Sequence, residues 1–234
     1  QAEVEFDQGV TDAENTSAVL SIEGALADRW THRLDLGHSR EDLDTPAYFA
    51  AYEARRNTLD WHHQYTLNDA TTLSGGVNYA RERGAELETF GNTEVFGARR
   101  HNTALYAGVA HHAGAHDLEF TGRYDDSSVF GGEATFQAAW GWQLADATRL
   151  RASFGQGFRA PSLNELYSPG FGGLFAGNPN LQPEQSDSLE LGLRHDFNGD
   201  HRIEASAYRT RVDDLISFSG GETYQAINIA RADI

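Results

Sequence analysis

Residues Ala147–Phe158 read ATRLRASFGQGF, and apolar and polar side chains alternate along them. Leu150, Ala152, Phe154 and Phe158 fall on one face of an extended chain, and Arg149, Arg151 and Ser153 fall on the other. A period of two marks a strand with one apolar and one polar surface. The same pattern recurs on both sides of this stretch. In Ala134–Leu144, Phe136, Ala138, Trp140, Trp142 and Leu144 alternate with Thr135, Gln137, Ala139 and Gln143; in Ser188–Asp196, Leu189, Leu191 and Leu193 alternate with Ser188, Glu190, Gly192 and Arg194. Extending the template predicts eleven strands, at roughly 16–26, 29–39, 53–67, 71–83, 98–112, 116–126, 131–145, 147–158, 186–197, 200–214 and 222–231. Many are twice the ~5–6 residues usual in globular sheets. No segment carries a helical stripe.

The connections sort into two alternating classes. Tight turns are expected near Ala27-Asp28, Leu67-Asn68-Asp69, Ala113-Gly114-Ala115, Ala145-Asp146 and Asn198-Gly199; longer excursions are expected at about 40–52, 84–97, 127–130, 159–185 and 215–221. In one up-and-down sheet every tight turn then lies at one end and every long loop at the other. A transmembrane barrel has that asymmetry, with strands of ~10 residues alternating apolar-out and polar-in. Only every second residue needs to face lipid, which reconciles such a barrel with a mean hydropathy of −0.55. Eleven strands leave two open edges, which a bilayer does not tolerate. The pattern also stops inside a strand-like run, Ile229–Ile234. The predicted class is therefore all-β: a segment of a transmembrane antiparallel up-and-down barrel, one domain over 1–234, about half of a ~22-stranded barrel.

Composition narrows the function. With no cysteine in 234 residues, disulfides and thiolate metal sites are excluded, and the absence of methionine marks a mature or internal fragment. A net charge of −17 argues against nucleic acid, whose phosphates demand a basic face. Gly155-Gln-Gly157-Phe-Arg-Ala160 imitates a dinucleotide fingerprint, but Pro161 follows where a helix should begin. Asp196–Ile203 imitates a calcium loop, yet its sixth position is His201 and strands replace the flanking helices, so a hairpin turn at Asn198-Gly199 is expected. His62-His63 and His111-His112 are adjacent in strands, point to opposite faces and cannot chelate from one side; His116 joins them as a polar-face or interfacial histidine. No Gly-x-Ser-x-Gly elbow is present, and nothing supports an enzyme.

The long excursion carries the most specific signal. The strand ending at Phe158 runs into Arg159-Ala160-Pro161-Ser162-Leu163-Asn164-Glu165-Leu166-Tyr167, and the next is entered through Gly177-Asn178-Pro179-Asn180-Leu181-Gln182-Pro183-Glu184-Gln185-Ser186. Tyr208–Ile216 and Asn228–Ala232 follow in order. Together these resemble the barrel signature of TonB-dependent outer-membrane receptors. Tyr124–Gly131, the Trp140-Gly141-Trp142 strand and Ser39–Trp61 resemble the cobalamin-transporting branch of that family. The resemblance implies a 22-stranded barrel with an N-terminal plug, set in outer-membrane lipid. Such a receptor takes up a scarce large ligand with energy supplied through TonB, its partner at the absent N-terminal region. The ligand implied is cobalamin or another corrinoid; a ferric siderophore is the alternative within the family, and a passive porin-like or structural barrel the alternative outside it. No cofactor is expected beyond structural calcium in the external loops, for which the resemblance points to Asp7 as a ligand. It points to Ala50 as a substrate contact. In the long loop, Tyr167, Phe171 and Phe175 offer flat contact area for a large rigid ligand, glycines allow close backbone approach, and prolines lower the ordering cost.

Overall fold

The structure, a computed structural model, describes residues 10–170, 175–197, 200–219 and 224–233. Eleven strands form one antiparallel sheet in sequence order. They are β1 (Asp12–Ala27), β2 (Trp30–Thr45), β3 (Ala50–Asn68), β4 (Thr71–Glu88), β5 (Thr93–Ala113), β6 (His116–Ser127), β7 (Gly131–Ala145), β8 (Thr148–Arg159), β9 (Glu184–Phe197), β10 (His201–Ser219) and β11 (Gln225–Asp233). All eleven expected strands are present. The strand at 222–231 is seen from Gln225, and the Asn198-Gly199 turn lies outside the described residues.

The excursions expected at 40–52, 84–97 and 215–221 are corrected by the structure. The chain stays extended through Thr45, resumes at Ala50, continues through Glu88 and restarts at Thr93, so these connections shrink to 46–49 and 89–92; β10 likewise runs on to Ser219. Arg40–Asp44 carries charge on both faces, and in Gly84–Glu88 only Ala85 and Leu87 alternate, a run too short to read as strand while the backbone ladder continues. The excursion at 159–185 is genuine, but it holds a helix that periodicity did not predict: α1 (Leu163–Tyr167).

Register fixes which side chains share a face. Leu20, Leu36, Leu59 and Tyr79 are consecutive cross-strand partners. Leu105, Tyr124 and Ala134 are likewise in line, as are Val109, Phe120, Ala138, Phe154 and Leu189. These and their neighbours two residues away make an apolar band around one face of the sheet. The lower edge of the band is aromatic and histidine-rich: Trp30 Nε1–H donates to His63 Nδ1 at 3.1 Å, and Trp140 Nε1–H donates to His116 Nδ1 at 3.1 Å. His62 points to the opposite face from His63 and lies 3.2 Å from the Tyr106 hydroxyl.

The other face is polar and concave. The excursion leaves β8 and still reaches β4 and β5 on this face: Leu163 packs against the backbone at Gly84, and Arg100 donates to the Pro161 carbonyl. Below that contact the wall is tied together laterally. The Tyr106 hydroxyl on β5 donates to Asp60 on β3 at 3.1 Å, passing over Gly76 of the intervening β4. A Cβ at Gly76 would overlap the Trp61 carbonyl and the Tyr106 ring, so only glycine leaves room for this crossing.

Candidate functional site at the mouth

The site is built by the connection between β8 and β9. Pro161, almost fully buried, stops the strand, and Ser162 caps α1. The Ser162 hydroxyl accepts from the Glu165 N–H at 3.1 Å, while the Glu165 carboxylate accepts from the Ser162 N–H at 2.7 Å. This reciprocal box satisfies two helix-start donors that would otherwise be unpaired. Leu166, 1% exposed, then packs with Leu181, Ile216 and Ala226 in a small core between the loop and β10–β11. The returning segment presses on the helix: Gly177 N–H donates to Ser168 O at 2.7 Å and Asn178 N–H to Glu165 O at 2.8 Å. A Cβ on Gly177 would come within 2.8 Å of the Glu165 and Leu166 backbone, which makes the expected close approach through glycine concrete.

Charge fastens the same loop to the rim. Arg159 donates to Glu184 at 2.7 Å and to Glu165 at 3.1 Å, and Glu184 also accepts from the Ile216 N–H at 2.8 Å. The Arg159 guanidinium and that N–H hold the Glu184 carboxyl below the usual carboxylate range, against the opposing effect of burial. Two carboxylates raise the Arg159 guanidinium further above its ordinary value, Glu184 being the stronger influence.

Between α1 and the wall of β2–β5 lies a cleft of about 430 Å³, lined by Tyr52, Arg56, Glu82, Arg100, Ser162 and Leu163. Glu82 receives Arg100 from one side and Arg56 at 3.3 Å from the other.

Ala50, at the start of β3, lies on the same face as Tyr52 and opposite Glu88. Tyr167 closes α1 and is exposed, and its neighbour Ser168 donates to Glu86 at 3.2 Å, on the same rim as Ala50. Phe175 packs toward the β10–β11 connection. It stacks on Tyr224 at 5.7 Å and meets Phe218 edge-on at 5.9 Å. Both Phe175 and Tyr224 have left-handed backbones, φ 58° and 45°, a conformation that side-chain-bearing residues rarely adopt. The loop therefore brings Tyr167 toward the Ala50 rim, while Phe175 packs with rings at the β10–β11 connection. Asp7 and Phe171 lie outside the described residues. Tyr52, Glu82, Arg100, Phe218 and Tyr224 escaped the sequence reading because nothing local links them to the loop. Glu165 carried a readable signal that went unused, the Ser162-x-x-Glu165 spacing just after a strand.

The comparisons with known proteins decide the family. The family described as TonB dependent receptor-like, beta-barrel matches residues 2–234. This chain belongs to that family. The apolar band is accordingly the lipid-facing belt of a barrel wall, and the concave polar face lines the lumen. Among curated proteins, a vitamin B12 transporter, BtuB of Vibrio vulnificus, is 32% identical over 97% of the chain. One from Photobacterium profundum is 29% identical over 71% of the chain. The chain spans 37% of the length of the Vibrio protein. Among solved structures, the siderophore receptor PirA of Pseudomonas aeruginosa superposes with a TM-score of 0.79 at 17% identity, over 95% of this chain and 43% of that one. The copper transporter OprC superposes at 0.70 and 20% identity, over 96% of this chain and 43% of that one. At those identities the likeness is one of fold.

Proposed function

We propose that this chain is barrel wall and mouth of an outer-membrane receptor that imports cobalamin or a related corrinoid with TonB-supplied energy. The observation that carries the reading is the 32% identity to a vitamin B12 transporter across 97% of the chain, the mouth loop included. The mouth suits a large, rigid cargo. Tyr167 beside the Ala50 rim and Phe175 stacked on Tyr224 offer flat apolar contact area to such a ligand. Phe171 belongs to the same loop, and Asp7 would supply a calcium ligand to order the external segments. A ferric-siderophore cargo is the second reading, favoured by the fold shared with the siderophore receptor PirA.

The test is a titration on the full-length protein in outer membranes, with labelled cyanocobalamin against a panel of ferric siderophores, in calcium and then in chelator. Saturable cyanocobalamin binding that weakens in chelator supports both the corrinoid and the calcium assignments. Binding of a ferric siderophore alone replaces the cargo. Uptake that persists without TonB overturns active import.

A further inference from the structure

The outward face carries a second, unassigned chemical feature just above the apolar belt. Arg40, Arg55, Arg83 and Arg99 are direct cross-strand partners in succession: Arg40 opposite Arg55, Arg55 opposite Arg83, Arg83 opposite Arg99. Directly opposed residues sit about 4.5–5.5 Å apart at Cβ, and like charges so placed destabilise a sheet. Four guanidiniums thus span about 15 Å on four adjacent strands, in a chain whose net charge is −17. Arg81 lies one outward position below Arg83, opposite His101.

Internal carboxylates neutralise only one end of this row. Arg40 is held by Asp42 at 2.7 Å and shares Glu53 with Arg55, at 3.2 and 2.9 Å. At the other end, Arg83 reaches only Glu94, at 3.9 Å. Arg81 and Arg99 have no acidic partner among the described residues, and both are exposed.

Position indicates what completes the set. Leu36, Leu59 and Tyr79 form the top of the lipid-facing belt on β2–β4, and the arginine row lies four residues farther along each strand. At about 3.3 Å per residue that is roughly 13 Å along the strand, less along the membrane normal once strand tilt is counted. This is headgroup depth. At the opposite edge of the belt the same four strands present Trp30, Tyr65, Thr71 and His111, with no arginine.

We propose that Arg81, Arg83 and Arg99, flanked by Arg40 and Arg55, form a binding site for the phosphate groups of an anionic outer-leaflet lipid. Guanidinium forks match phosphate oxygens bidentately, and a phosphorylated headgroup would turn a repulsive row into a neutralised one. A lipid satisfies both halves of the surface, its acyl chains lying on the belt below and its phosphates on the arginines above. Free phosphate satisfies only the upper half. The inference rests on the membrane reading of the belt but not on the nature of the imported cargo.

The experiment uses the full-length receptor in dodecyl maltoside micelles, with three probes: bis-phosphorylated lipid A, its dephosphorylated counterpart, and inorganic phosphate. Lipid retained per protein is read by native mass spectrometry, and folding by heat-modifiable mobility on gels. The expected result is at least about tenfold preference for the phosphorylated lipid, falling with salt and lost in the folded Arg83→Gln/Arg99→Gln double variant. Arg202→Gln, at the opposite end of the barrel wall, should keep it. Equal retention of the dephosphorylated lipid, or full retention by the folded double variant, overturns the site. Inorganic phosphate competing as well as the lipid reduces it to an ion site and overturns the lipid assignment. Cyanocobalamin titration of the same samples reports separately on the cargo.

Discussion

The two ends of this sheet solve the same problem, closing antiparallel strands, with opposite means. At the lower end β1–β2, β3–β4, β5–β6 and β7–β8 are each joined by two residues, and the adjoining belt is stiffened by tryptophan–histidine contacts such as Trp61–His63 at 4.6 Å. At the upper end β8 and β9 are joined by 24 intervening residues, 160–183, held by a capping box, a buried leucine and an arginine between two carboxylates. The lower end gains little by being anything but short. The upper end carries chemistry, and its order must come from contacts that can be loosened one at a time. Loops with few buried contacts sit at the low-stability end of a protein's local unfolding spectrum. The mouth loop should therefore respond to single changes that leave the belt unmoved.

The largest response is expected from Leu166→Ala. The side chain is 1% exposed within a small core, four buried residues among the described ones, so neighbours have little capacity to refill the space. Truncations of this kind cost about 2–5 kcal/mol. Hydrogen exchange on the full-length protein in detergent should show Gly177 and Asn178, whose amides bond to the helix, losing most of their protection. Leu191→Ala in the lipid-facing belt should leave those two amides unaffected. If both substitutions loosened the loop equally, the independence of the two ends would be refuted.

A change in the wall itself should be next in size. Gly76→Val would drive a side chain into the Trp61 carbonyl and the Tyr106 ring, forcing β4 and Tyr106 apart. Overpacking of this kind costs about 1–3 kcal/mol, and the urea midpoint of the folded receptor should fall. Tyr106→Phe keeps the shape and loses only the hydroxyl's bonds to Asp60 and His62, so its drop should be about 1 kcal/mol. An unchanged midpoint for Gly76→Val would mean that the lateral tie over glycine does not limit wall stability.

These contrasts also explain what the sequence could and could not reveal. Strands such as β7 and β8 were legible because one face meets lipid and the other the lumen, which imposes a period of two on Phe136–Leu144 and Leu150–Phe154. Above the belt that constraint lapses. Arg40–Asp44 is charged on both faces, and Gly84–Glu88 offers only Ala85 and Leu87 in alternation, so both read as loops although their backbones remain in the ladder. Helix α1 has five residues, too few for a stripe, and went unread although a capping box opens it. The mouth was half legible. Ala50, Tyr167 and Phe175 fall at it, but Phe218 and Tyr224, the ring partners of Phe175, and Arg100, which donates to the Pro161 carbonyl, come from strands and turns far away in the chain. Only the curvature of the sheet brings those together.

The smallest effect separates charge from packing at the mouth. Glu184 carries a depressed carboxyl pKa, caused first by the Arg159 guanidinium and assisted by the Ile216 N–H. A group whose folded pKa lies below its unfolded value stabilises the fold above the unfolded value, and that contribution disappears as pH falls through the folded one. Loop protection, corrected for intrinsic exchange, should then be flat from neutral pH down to about 5 and decline below about 4. The decline should be worth under about 1 kcal/mol, because the Arg159 side chain is 46% exposed and its attraction is screened by water. Glu184→Gln keeps the shape and removes the titrating group, so it should lower protection at neutral pH slightly and flatten the acid limb. Leu166→Ala should lower protection at every pH while leaving the limb in place. An acid limb that survives Glu184→Gln would refute its assignment to Glu184.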